Sequence, residues 1–441
     1  MKTFKIGGIH PPDYKLSANS AIRKADMPDH VVIMLNQHIG APSEPVVSKG
    51  DEVKVGQLIA KANGYVSANI HSSVSGKVLK IEDAVDVTGY KHKAIYINVT
   101  GDSWIDEIDR DDKLIKECNI DSKEIIGKIA EAGIVGMGGA GFPTHVKLNP
   151  PAGKKAEVVI VNAVECEPFL TSDHRLMIEK GDEIIVGLSI LMKAVNVDRG
   201  IIGIENNKKD AIEILKHKAE LYKGITILPL KVLYPQGGEK QLIESAIGRQ
   251  VPSGALPVDV GAIVQNVSTV FAVYEAVQKN KPLFERVITI TGKHVNDPGN
   301  YIVRIGTTFS DIIEGIGGLP ENTGKIISGG PMMGKAVTNL SVPVTKGSSG
   351  ILFISEKETP RKDIKNCIRC AKCVEACPMG LEPYLFMTLA EHEEWEKLEK
   401  ELIMDCIECG CCTFSCPSTR PLLDYLRLGK SKVGAIIKKR K

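Results

Sequence analysis

The spacing of the cysteines constrains this chain more than any other feature. Cys367-x-x-Cys370-x-x-Cys373-x-x-x-Cys377-Pro378 recurs as Cys406-x-x-Cys409-x-x-Cys412-x-x-x-Cys416-Pro417, and Cys411 lies off the pattern. Three thiolates at intervals of three wrap one face of a cubane. The fourth, turned away ahead of a helix-breaking proline, ligates the other cluster, which is the bacterial two-cluster [4Fe–4S] spacing. The spacing thus assigns Cys367, Cys370, Cys373 and Cys416 to one cluster, and Cys377, Cys406, Cys409 and Cys412 to the other. Zinc is the competing use, but zinc has no role for a third cysteine at this interval twice over. Cys411 is expected to pack as a small hydrophobe. Of eleven cysteines only Cys118 and Cys166 precede Cys367. A disulfide framework would suit a small secreted domain, not one end of a long chain.

At 441 residues the chain exceeds one ordinary core, and its patterning divides it into four units. Residues 1–105 carry short β-branched runs separated by glycine. Residues 106–282 alternate buried strands (Val158 to Ala163, Gly200 to Ile204, Ile225 to Leu233) with amphipathic stretches (Glu183 to Ala194, Asp210 to Leu221, Glu239 to Ile247, Ser268 to Val277). That alternation predicts a largely parallel, Rossmann-like sheet covered on both faces. Residues 283–355 return to strands around a short helix near Phe309 to Ile316, a small α+β module. Residues 356–441 turn to cysteine, glutamate and lysine, expected to be a compact helical, ferredoxin-like domain built round its metal, with a basic tail. The fold class is therefore multidomain, α/β and α+β.

Charge and hydropathy exclude several functions. Lysine and arginine number 56 against 54 acids, a net charge of +2, which gives no case for nucleic-acid binding. No apolar run approaches the roughly 20 residues that span a bilayer. The N-terminus has no apolar signal-peptide core, so a cytoplasmic location is expected.

The run Gly136-Met137-Gly138-Gly139-Ala140-Gly141-Phe142-Pro143-Thr144 nominally matches a dinucleotide fingerprint. Its context does not, because Lys123 to Ala132 upstream reads as a helix and not as a strand. By spacing alone a structural turn and a ligand loop are equal readings. What the glycines offer is bare backbone N–H groups and room for close approach by a flat ring or a phosphate. With Lys147, this run resembles the FMN loop of the NADH-binding flavoprotein subunit of respiratory complex I. Asn162-Ala163-Val164-Glu165-Cys166-Glu167-Pro168, Tyr234-Pro235-Gln236-Gly237-Gly238-Glu239 and Asn266-Val267-Ser268-Thr269 resemble three further motifs of that family, in order. The resemblance implies that Gly138, Gly139, Gly141, Lys147, Asn162, Glu165, Gly237, Asn266 and Thr269 line FMN. It implies that Phe142, Glu167 and Glu239 face NAD(H). Val164 and Gly238 depart from the family's acidic residues, and its second stacking aromatic is missing around Pro150.

Val46-Val47-x-x-Gly50-Asp51 and Val74-Ser75-Gly76-Lys77-Val78 resemble a barrel-sandwich hybrid of the lipoyl type. Asn63-Gly64-Tyr65 stands where such domains carry their modified lysine, so no lipoate or biotin is expected. With Gly7-Gly8-Ile9-His10-Pro11-Pro12, Lys15 and the doubled cysteine motif, nearly the whole chain resembles the RnfC family of the Rnf complexes. The resemblance implies a peripheral electron-transfer subunit on the cytoplasmic face of the cell membrane. FMN would exchange hydride with NAD(H), and two [4Fe–4S] clusters would pass single electrons. No side chain is then required as a general acid or base. Its partners would be an iron–sulfur subunit and integral membrane subunits, with ferredoxin met indirectly, and flow in either direction is compatible. Residues 283–355 match the family's ligand-binding β-grasp (SLBB-type) module. Gly329-Gly330-Pro331-Met332-Met333-Gly334 reads there as a structural turn accompanied by nothing titratable, and His10 as a packed histidine. Two alternatives stay open: a microcompartment cobalamin reductase, and a non-enzymatic iron–sulfur relay. The tail Lys430–Lys441 reads either as a solvated, disordered run or as a weak electrostatic tether to anionic lipid.

Overall fold

A computed structural model describes residues 1–440. The first β unit is an antiparallel sheet in the order His30–Met34, Lys91–Gly101, Ser75–Val85, Glu52–Val53, faced by a smaller sheet of Glu44–Pro45, Leu58–Lys61 and Ile70–His71. Val31 pairs with Ile97 and Ile33 with Ile95. Spaced by two, these side chains share one face and form a core with Ile59, Ile70 and Val78.

The residues ahead of His30 serve other units. Lys2 bridges to Leu230 and Ile9 to Tyr234, while Ile22–Lys24 runs parallel to Gly299–Arg304. Because Ile9 turns inward onto Tyr234, His10 is left exposed rather than packed.

The α/β unit has four parallel strands in the order Ile225–Leu230, Gly200–Glu205, Val158–Asn162, Ala262–Asn266. Helices Gly181–Ala194, Lys209–Ala219, Glu239–Ile247 and Val267–Lys279 fall within a few residues of the stretches read from periodicity. The strand Ala262–Asn266 and the helix Ser172–Glu179 lie outside those stretches. The strand is short and buried up to Gln265, so it offers no alternation to detect.

The third unit is a six-stranded mixed sheet that recruits Ile22–Lys24 as its edge. Its core gathers Ile288, Ile290, Phe309, Ile351 and Phe353. The fourth unit is helical: Pro383–Glu391, Trp395–Lys400, Cys411–Ser415 and Leu422–Arg440 are its main elements. The basic tail is not a disordered run, because its residues through Arg440 form that last helix; Lys441 lies outside the described residues. Leu422, Leu426, Gly429 and Val433 are buried at offsets of four, seven and eleven, a helical stripe that packs with Leu398 and Ile403.

One lysine fastens three units together. Lys346, fully buried, donates from Nζ to the carbonyls of Asn69 (2.6 Å) and Gly133 (2.8 Å). It thereby ties the β-grasp module to the first β unit and to the base of the glycine loop.

Candidate functional site

The polar floor of the α/β unit is set by strand register. Asn162 and Asn266 end neighbouring parallel strands and are direct partners across the ladder. Each is held differently. Asn162 Nδ2 donates to the Gly237 carbonyl at 2.8 Å. Asn266 caps the helix Val267–Lys279, its Oδ1 accepting from Ser268 N–H at 2.8 Å, while its Nδ2 donates to Asp173. An asparagine at this position satisfies an orphan N–H of the helix's first turn.

The glycine run lies over this floor as a closed loop. The Gly136 N–H donates to the Phe142 carbonyl (2.8 Å), Thr144 N–H to Ile134, and Val135 bridges Pro143. Thr269 Oγ1 accepts the Met137 N–H at 2.8 Å and pins the loop from below. Gly138 has φ +95° and a Cβ there would come within 2.8 Å of Asn266 Nδ2, so only glycine fits. A Cβ on Gly139 would meet nothing within 4 Å. The loop's outer face therefore opens onto free space, as a backbone cradle for a flat ring would. Gly141, at φ +71°, packs its inner face on His38 and Gln37 of the first β unit. Lys147 Nζ reaches back to Glu239 (2.8 Å) and the Val264 carbonyl (3.1 Å). Gly138, Lys147, Asn162, Gly237, Glu239, Asn266 and Thr269 are thus brought together, with bare glycine backbone and amide groups suited to a flat ring, while the charge of Lys147 is taken up by Glu239.

Glu165 and Glu167 are placed differently from their neighbours. Glu165 is a helix cap: its carboxylate accepts the Asp173 and His174 N–H groups at 2.7 and 3.1 Å. Burial pushes it above the ordinary carboxylate range, with Lys15 and Lys208 opposing that shift. Glu167 accepts the Met332 and Met333 N–H groups at 3.1 and 2.7 Å, and burial pushes it up to about 7. The turn Gly329–Gly334 therefore does carry a titratable partner, contrary to its sequence reading. The partner comes from a loop 165 residues away, beyond the reach of any local pattern. Phe142 is half-buried at the end of the glycine loop.

Lys15 is legible in sequence only as part of an N-terminal motif, yet it builds the Glu165–Leu170 turn. Its Nζ donates to the carbonyls of Glu165 (2.9 Å), Glu167 (2.8 Å) and Leu170 (2.7 Å). Glu165 and Phe169 sit at φ +46° and +69°, a conformation that non-glycine residues hold only when their surroundings over-determine it. Lys15 supplies that constraint.

In the helical unit, Cys377, Cys406, Cys409 and Cys412 line one cavity, together with Cys411, Met379 and Leu426. No group of three or more His, Cys, Asp or Glu among the described residues is gathered as for a single metal ion. Four thiols lining one cavity are consistent with an iron–sulfur centre. The cavity abuts the rest of the protein. Gly7 packs on the Cys377 carbonyl so closely that a Cβ would collide with it. The Gly8 N–H donates to Ala376 (3.0 Å), and Gln241 Nε2 donates to Pro378 (3.1 Å). Tyr234, paired with Ile9 and only three residues from Gly237, donates its hydroxyl to the Cys409 carbonyl at 2.8 Å. Cys411 is fully buried in this joint, beside Tyr234, Ile9 and Met332.

The other set is more open. Cys367 and Cys370 are exposed, whereas Cys373 and Cys416 are half-buried. Burial raises the Cys373 thiol, and the nearby Cys416 thiol adds to the shift.

Three family models match successive parts of the chain: an RnfC barrel sandwich hybrid domain over residues 2–102, a Nuo51 FMN-binding domain over 129–275 and an SLBB domain over 287–336. The chain is 50% identical over 434 residues to the C subunit of the proton-translocating ferredoxin:NAD(+) oxidoreductase complex of Clostridium ljungdahlii, covering 98% of this chain and 94% of that one. It is 42% identical to the C subunit of the Na(+)-translocating ferredoxin:NAD(+) oxidoreductase complex of Acetobacterium woodii, covering 98% and 97%. The C subunit of the ion-translocating oxidoreductase complex of Rhodobacter capsulatus is 41% identical, over 87% of this chain and 74% of that one. Among solved structures, an NAD+-reducing [NiFe]-hydrogenase in its H2-reduced state shares the fold over 71% of this chain and 63% of its own. The TM-score is 0.51 and the sequence identity 18%.

Proposed function

The chain belongs to the RnfC family, the C subunits of ion-translocating ferredoxin:NAD(+) oxidoreductase complexes, and from that premise we propose how its parts divide the work. It is an electron-transfer subunit of such a complex, an oxidoreductase with an FMN-binding domain and with the other subunits as its partners. No helix among the described residues is long and apolar enough to cross a membrane. We place the subunit peripherally, on the cytoplasmic face.

The FMN subsite is the glycine loop with Lys147, Asn162, Gly237, Asn266 and Thr269. Glu165 acts from behind it, as the cap that fixes the next helix. Phe142 and Glu239 flank the approach of the nicotinamide nucleotide. Bound there, FMN supplies the exchange between a two-electron hydride and single electrons. The chain's own groups orient the ring and exclude bulk from its face. Two [4Fe–4S] clusters take the two cysteine sets assigned by spacing. We assign the four units the bounds 1–105, 106–282, 283–355 and 356–441, with residues 1–24 of the first reaching across to the others.

The observation that carries this reading is Tyr234. It reaches Cys409 with its hydroxyl, while the same loop supplies Gly237 to Asn162. One short segment thus links the flavin floor to the inner cysteine set. Anaerobic reconstitution tests it. The chain should bind FMN non-covalently, hold two clusters, and reduce an artificial acceptor with NADH. A narrower reading, a relay without a nucleotide site, draws on one observation: Glu167 is already engaged by Met332 and Met333. A flavin-loaded protein that never oxidises NADH would favour it.

A further inference from the structure

The two cysteine sets differ in exposure. The inner set is closed in by Gly7, Tyr234 and Gln241. The outer set opens to solvent through Cys367 and Cys370. Around those two cysteines runs an irregular segment, residues 361–371, in which every residue is exposed. It is nevertheless held in place, since the Lys365 N–H donates to Ser418 (3.0 Å) and Thr419 Oγ1 to the Asp363 carbonyl (2.5 Å). Both anchors sit just past Cys416, so the segment is fixed relative to the outer cysteine set.

Its chemistry is concentrated. Arg361, Lys362, Lys365, Arg369 and Lys372 face a single acid, Asp363, in a chain whose net charge is only +2. Among the described residues only Arg361 has an acidic partner, Asp424 at 3.2 Å. Ile364 and Ile368, either side of Cys367, are 65% and 67% exposed. A single exposed isoleucine is ordinary, but two of them interleaved with five cations along one exposed segment, either side of Cys367, combine apolar and charged contact groups as a docking surface does. A cationic segment of this kind steers an oppositely charged protein and favours one orientation.

Resting on the function proposed above, we infer that residues 361–372 are the docking face for an acidic protein subunit of the same complex, which exchanges single electrons with the outer cluster. Charge complementarity selects the partner's acidic surface. Ile364 and Ile368 provide the contact that brings it close to Cys367. The exchange moves one electron between the outer cluster and a one-electron centre of that subunit and needs no further reactant.

The test uses the full-length chain assembled in its membrane complex. The charge-reversed variant K362E/K365E/R369E and the neutral variant K365Q/R369Q are each carried through a salt series while retention by the remaining subunits is followed. Iron content and NADH-driven dye reduction are measured alongside. The inference expects both variants to keep iron and dye reduction, and to leave the complex at several-fold lower salt than the unmodified chain. Ile368→Ser should also weaken retention while leaving its salt dependence unchanged. If both charge variants stay bound over the same salt range as the unmodified chain, the inference is overturned. It is also overturned if the variants lose binding to protein-free phosphatidylglycerol vesicles in proportion, since the face would then be reading lipid. Failure of the unmodified chain to reduce dye with NADH would count against the proposed function and leave the docking result standing.

Discussion

The Tyr234 hydroxyl donates to the Cys409 carbonyl at 2.8 Å, in a position where the tyrosine is only 3% exposed. Burial raises its hydroxyl well above the ordinary tyrosine range, so it stays a neutral donor at any working pH. Two units more than 170 residues apart in sequence meet at this bond. Tyr234→Phe keeps the ring and removes the donor, leaving a buried carbonyl beside a cluster ligand unpartnered. The expected cost is about 1–3 kcal/mol. It should be read as a lowered thermal midpoint, and as slower cluster reduction by NADH in rapid mixing. FMN content and direct dye reduction should be unchanged.

The glycine loop allows a cleaner test than its sequence suggests. Gly138 and Gly141 carry structural duty against Asn266 and against His38, so a side chain at either position strains the fold as well as any ligand. Gly139 has φ in the ordinary region and open space where its Cβ would be. Gly139→Val should therefore leave stability and iron content nearly untouched while excluding the flavin. Flavin absorbance of the purified variant reads this directly. Full FMN content would mean that the outer face of the loop is not the flavin's.

Much of this arrangement is legible in the sequence, and what is not has a common cause. Helices Glu239–Ile247 and Ser122–Glu131 follow from apolar periodicity and from a cap such as Asp121. The last helix escapes such a reading because its charge run Lys430–Arg440 masks the stripe Leu422, Leu426 and Val433. The contacts that fix function lie across long sequence separations. Lys15 on the Glu165–Leu170 turn, Glu167 on the Met332–Met333 turn and Lys346 across three units each join segments that no local window contains. Glu167 resembles a nucleotide-facing residue by motif, but its carboxylate meets backbone N–H groups of the β-grasp module.

The two cysteine sets should respond differently to loss of a ligand. Cys412 is buried among Phe386, Leu422 and Leu426, whereas Cys370 is exposed. Cys370→Ala should reduce iron from about eight atoms per chain to about four and spare the fold. Cys412→Ala should lose its cluster and destabilise the helical unit, because a cluster there substitutes for core. Iron and sulfide analysis with far-ultraviolet circular dichroism separates the two outcomes.

Lys346 makes a pH-dependent joint. Burial lowers it from 10.5 to about 7, and its two carbonyl acceptors match the two N–H groups of a neutral amine. Between about pH 7 and 10.5 the unfolded chain binds a proton that the folded chain does not. Folding stability contributed by this group therefore rises with pH across that window, by several kcal/mol at most. Below about pH 7 the buried charge remains as a constant penalty. Lys346→Met cannot titrate. The difference in thermal midpoint between the native chain and this variant should grow in favour of the native chain from pH 7 to 9. A pH-independent difference would show that the amine is charged throughout.

The last helix, finally, carries weight in the fold that its basic composition conceals. Lys430 Nζ donates to the Cys406 carbonyl at 2.7 Å and pairs with Glu408 at 3.0 Å. Val433 is fully buried, and Arg440 pairs with Glu399 at 2.8 Å. Truncation after Leu428 removes all of these, so it should cost iron from the inner cysteine set and unfold part of the helical unit. Any loss of membrane association in that variant would then be indirect. Neutralising the exposed charges alone, as K432Q/K438Q/K439Q, separates the roles. Exposed ion pairs and solvated lysines contribute little to stability, so iron content should be unchanged. If protein partners hold the subunit, the triple variant should fractionate with its complex at every salt concentration that retains the unmodified chain. Release at low salt would instead identify the helix face as an electrostatic tether, at about 1 kcal/mol per basic residue near an anionic surface.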